Sequence, residues 1–88
     1  MLKDSQLETF RKLLEEEYDW PAEYHFKFVV PYDKVPEVEA LFPNEKAELK
    51  ASSKGNYVSV NIIMTLESAD IVIAVYQQAS QIKGLISL

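Results

Sequence analysis

The steadiest pattern in the chain runs from residue 57 to residue 66, where Val58, Val60, Ile62, Met64 and Leu66 alternate with Tyr57, Ser59, Asn61, Ile63 and Thr65. A period of two puts these sets on opposite faces of a strand, and alternation held this long predicts a central one. Residues 24–30 repeat it, with Tyr24, Phe26, Phe28 and Val30 against His25, Lys27 and Val29, and Pro31 stops the run. A weaker alternation over residues 47–52 sets Ala47, Leu49 and Ala51 against Glu48 and Lys50, which predicts an edge strand. Residues 85–88 are expected to form a last short strand.

Elsewhere the apolar spacing changes to three and four. Leu7, Phe10, Leu14 and Tyr18, with Leu13 alongside, form one helical stripe, and Ser5 and Glu8 have the spacing of a capping box at its start. Glu15, Glu16 and Glu17 put negative charge at the end of this helix, where the macrodipole disfavours it, and Trp20-Pro21 marks the break. Over residues 34–42, Val35, Val38, Leu41 and Phe42 predict a short helix that tolerates Pro36 only in its first turn. A third helix is expected from an N-cap at Ser68 to about Lys83, with Ile71, Val72, Val75, Tyr76, Ala79 and Ile82 as its core stripe and Gly84 as its C-terminal cap.

The predicted order is a helix followed by β-α-β-β-α-β. That is an α+β fold, the ferredoxin-like βαββαβ sandwich, in which two helices cover one face of a four-stranded antiparallel sheet. Residues 1–19 then make an N-terminal helical extension and residues 20–88 the ferredoxin-like domain. With the first and third strands as central neighbours, the uncovered face carries His25, Lys27, Val29, Tyr57, Ser59, Asn61, Ile63 and Thr65, of which His25, Lys27, Ser59 and Asn61 are the candidate contact residues. The stripe of the N-terminal helix needs burial too, so that helix is expected over this face or near its edge.

Between the second and third strands lies Ser52-Ser53-Lys54-Gly55-Asn56-Tyr57. Gly55 and Asn56 accept positive φ at low cost, so the segment reads as a hairpin turn. Its hydroxyls, amide and ammonium also make it a candidate loop for an anion or a peptide carboxylate. Together with the Val-Ser-Val strand that follows and the aromatic first strand Tyr24-His25-Phe26-Lys27-Phe28, this hexapeptide resembles the YbeD-like bacterial proteins, domain-of-unknown-function family 493, over roughly residues 18–88. The resemblance implies an ACT-like ferredoxin fold, a bacterial cytoplasmic protein and a link to lipoate metabolism. The chain differs from that family's pattern in a shortened segment over residues 33–42 and in its acidic N-terminal helix.

Charge narrows the partners. The net charge is −5, and residues 1–45 hold eleven acids against five bases, leaving no basic stripe for nucleic acid. The sequence has no cysteine, and its charged N-terminus has no continuous apolar stretch of a signal peptide or membrane span, so a cytoplasmic protein is expected. No cofactor or metal site is expected, because His25 is the only histidine and the alternation places no carboxylates beside it. Phosphate chemistry on this fold needs a positively charged loop after the first strand, where this chain has Val30-Pro31-Tyr32-Asp33. RNA recognition on the open face needs stacked aromatics in a basic surround, and only Tyr57 and His25 supply rings there. Glu15, Glu16 and Glu17 fall at successive helical azimuths and form a solvated face, while Trp20 is either a partner anchor or a plug at the end of the core. No nucleophile and base can be set together, so the chain reads as a non-enzymatic regulatory or adaptor module acting through protein contact. The alternative is an ACT-like effector-binding domain with a small-molecule site between two subunits of a homodimer.

Overall fold

The computed structural model describes residues 4–87 and shows an α+β chain with a four-stranded antiparallel sheet and three helices. In chain order these are α1 (Asp4–Glu17), β1 (Ala22–Pro31), a 3-10 turn (Tyr32–Lys34), α2 (Val35–Glu39), β2 (Glu48–Ala51), β3 (Tyr57–Leu66), α3 (Ala69–Ala79) and β4 (Ile86–Ser87). Met1 to Lys3 of the expected extension, and Leu88 of the expected last strand, lie outside the described residues. The sheet runs β2-β3-β1-β4. β1 and β3 are the central pair, in register from Ala22 opposite Leu66 to Pro31 opposite Tyr57. β2 lies on the outer side of β3, with Glu48 opposite Asn61 and Lys50 opposite Ser59, and all four of its residues are exposed.

The alternation decides what is buried. Phe26, Phe28 and Val30 of β1, with Val60 and Ile62 of β3, are almost wholly excluded from solvent. They pack under Val38, Phe42, Val72, Ile73, Ala79 and Ile82. Burying each large apolar side chain contributes about 1.5–3 kcal/mol before entropy is charged against it. Pro36 sits in the first turn of α2, which is only five residues long, and Val35 and Val38 are its buried positions. The helix is shorter than the expected span over residues 34–42, although Phe42 beyond it still reaches the core.

Four expectations need correction. Ser5 lies inside α1 and its carbonyl accepts from Thr9 Oγ1, so Ser5 and Glu8 do not form a capping box. α1 does not cover the open face. It packs against α3 on the covered side, where Leu14 joins the core and Phe10 meets Tyr76 edge-on at 5.6 Å. It does lie close to the β4 edge, since its first turns share a cleft with Ser87. In α3 the buried positions are Ala69, Val72, Ile73 and Ala79, while Ile71 points outward at 39% exposure. The helix stops at Ala79 with Ser80 as its cap, so Gly84, at φ +83°, serves the turn into β4 instead. Ser68 does hold the N-cap position of α3 in extended backbone, without a side-chain cap hydrogen bond.

Candidate functional site

The loop between β2 and β3 is built first as a turn. Ser52 N–H donates to Tyr57 O at 2.8 Å and Gly55 N–H to Ser52 O at 3.0 Å. Ser52 Oγ accepts from Tyr57 N–H at 3.3 Å. Gly55 takes φ +75°, whereas Asn56 keeps negative φ, so only one of the two expected permissive residues is used that way. Asn56 O accepts from Tyr32 N–H at 3.0 Å, which ties the loop to the far end of β1. Ser52, Ser53, Lys54, Gly55, Asn56 and Tyr57 are all exposed.

The uncovered face has more internal order. Asn61 Nδ2 donates to Ser59 Oγ at 3.0 Å, so its Oδ1 is left facing His25 Nε2 at 3.1 Å and receives that ring N–H. The register puts Lys27 directly opposite Asn61 and His25 opposite Ile63. His25, Asn61, Ile63, Lys46 and Glu48 line a shallow hollow of about 250 Å³. Around this polar row the face exposes Tyr57 at 45%, Ile63 at 57% and Ile86 at 52%. The structure therefore brings His25, Ser59 and Asn61 into one chain of hydrogen bonds and places the Ser52 to Tyr57 loop at the end of the same sheet.

A second concavity was not visible in the sequence. Phe10 and Leu13 of α1, Tyr76 of α3 and Ser87 of β4, with Ser5, Gln6 and Thr9, line a cleft of about 510 Å³. Beneath it Tyr76 and Tyr24 share a hydroxyl–hydroxyl hydrogen bond of 3.0 Å. Burial is the main cause that pushes both phenols above their ordinary value near 10. Rings of Tyr18, Tyr24, Phe26, Phe28 and Tyr76 continue from there into the core. The one sequence signal for this site was Leu13, an apolar residue beside the main stripe of α1.

Trp20 resolves as a plug. It is half-buried against Tyr18 at 5.3 Å, and its indole N–H is buried without a hydrogen-bond partner. Among the described residues no three of His, Cys, Asp and Glu are grouped to hold a metal ion, and no helix is long and apolar enough to cross a membrane.

A family profile matches residues 15–87, from the last turn of α1 through β4. The chain belongs to the family described as Protein of unknown function (DUF493). The YbeD-like resemblance read from the hexapeptide and the aromatic first strand is a resemblance to this DUF493 family. No curated protein and no solved structure matches the chain. The DUF493 match takes in the hydrogen-bonded row on the open face and the loop, while the α1 wall of the cleft lies before it.

Proposed function

We propose that this DUF493 chain is a non-enzymatic regulatory or adaptor module of ferredoxin-like, ACT-like architecture that acts through protein contact on the uncovered face of its sheet. The strand order β2-β3-β1-β4, with one helix in each crossover, supports that architecture. The observation that carries the reading is the face itself: Tyr57, Ile63 and Ile86 stand exposed around the fixed His25–Asn61–Ser59 row. Apolar side chains around a preset polar line give a partner both contact area and register. Tyr24 and Tyr76, raised by burial, stay protonated near neutral pH and bond to each other through their hydroxyls. A cytoplasmic setting and the link to lipoate metabolism come with the family resemblance.

The test is native mass spectrometry of the protein purified gently from its source cells, comparing wild type with Ile63→Asp and Lys54→Ala. A second polypeptide carried by wild type and Lys54→Ala, and lost by a folded Ile63→Asp, supports the open face. Loss with Lys54→Ala alone moves the contact to the loop. A polypeptide retained by both variants overturns the reading. The effector-binding alternative has one observation in its favour, the cleft under α1. A small molecule retained on the protein would carry it.

A further inference from the structure

β1 is flanked unequally. On one side β3 pairs along its full length, Ala22 to Pro31. On the other, β4 pairs only with Phe28 and Val29. Among the described residues no strand lies beside residues 22–27 on that side, so every second residue there presents its backbone N–H and C=O outward. α1 and the residue that follows it reach this region through side chains, Phe10 of α1 on Tyr76 and Tyr18 just past its end on Tyr24 at 5.5 Å, while the backbone neighbour of α1 is α3. The cleft of about 510 Å³ begins at Ser87 and is floored by Tyr76, whose hydroxyl is bonded to Tyr24, so it borders the line along which β4 would be prolonged.

We infer that the free edge of β1 over residues 22–27, together with this cleft, takes an extended basic segment of a partner protein that adds as a strand in line with β4. This surface is distinct from the open face and does not depend on that reading. Strand addition draws affinity from the main chain and selectivity from alternate side chains. Side chains opposite Tyr24 and Phe26 would turn toward Phe10, Leu13 and Tyr76 and must be apolar; Leu13 is 51% exposed and lacks a covering neighbour. Those opposite Glu23, His25 and Lys27 would turn to the open face and must be polar. Charge sets the sign. Residues 4–27 hold seven acids against three bases, and Glu15, Glu16, Glu17, Asp19 and Glu23 are exposed where β1 begins. Of the three bases, Arg11 is already paired with Asp70. A second copy would bring the same acids and its own net charge of −5, so complementarity selects a basic partner.

The test titrates the full chain with a short peptide alternating valine and lysine and reads amide hydrogen exchange residue by residue. Expected are slowed exchange at alternate amides within residues 22–27 and binding that weakens as salt rises. Leu13→Lys, at an exposed position, should weaken binding about tenfold by placing like charge in the wall. N-methylation of every second peptide residue should abolish binding whether or not that variant folds, and Ile63→Asp should leave it unchanged. Absence of binding, equal binding of a valine–glutamate peptide, or protection that falls on residues 59–63 or on β2 in place of residues 22–27 overturns the inference.

Discussion

Tyr24 of β1 and Tyr76 of α3 are joined by a single hydrogen bond between their hydroxyls. Because burial raises both phenols above their ordinary value near 10, the unfolded chain loses these protons first as pH rises. The contribution to stability is complete below about pH 10 and declines above it as the unfolded state ionises. Urea denaturation across that range should show this decline, and Tyr24→Phe or Tyr76→Phe should flatten it. A double-mutant cycle on the pair should return a coupling of about 1 kcal/mol. Trp20 provides the opposite case, a buried donor with nothing to receive it. Trp20→Phe removes that donor while keeping a ring, so its unfolding free energy should stay within about 1 kcal/mol of wild type, whereas Trp20→Ala should cost about 2 kcal/mol or more. Which residues share a face could be read from alternation alone. That Asn61 bridges His25 and Ser59 could not, because it depends on the diagonal offset of two paired strands and on the orientation of one amide.

At the scale of elements, the strands were legible because period two admits few alternatives for a run that sets Phe26 and Phe28, or Val60 and Ile62, on one face. α3 was less so. Its run Ile71-Val72-Ile73-Ala74-Val75 supplies apolar residues at every azimuth, and the choice of Ile73 over Ile71 comes from where β1 and β3 sit beneath it. The stripe of α1 announced a buried face without naming the layer that buries it. The cleft stayed hidden for a related reason, as one wall comes from α1 and the other from α3 and β4, some sixty residues further along the chain. The two glycines separate by surroundings. Gly55→Ala should cost about 1 kcal/mol, the conformational penalty alone, because its added methyl meets nothing within 4 Å. Gly84→Ala should cost more, since its Cβ would come 2.9 Å from Pro31 Cγ; chemical denaturation of both variants checks the order.

Across the whole molecule, α1 is part of the same core as the sheet, for Leu14 is 4% exposed within the single cluster that also contains Phe26 and Val72. Deleting residues 1–19 should therefore lower the melting temperature, and Leu14→Ala in the full chain should cost about 2 kcal/mol or more. An unchanged melting temperature after deletion would mean that α1 is an appendage. The Arg11–Asp70 pair between α1 and the first turn of α3 is solvent-facing and should add at most about 1 kcal/mol to this docking.

The seating of α1 on α3 also sets an order for assembly on the ribosome. α1 is translated before the other described elements, yet the surface that receives Phe10 is made only when α3 has been translated, after all three of β1, β2 and β3. Until then its apolar stripe has no seat, and a helix of this length without tertiary packing is marginal in water. The apolar stripe of α1 consequently stays uncovered from its own synthesis until that of α3, and its docking follows the making of the three strands that lie between them in the chain.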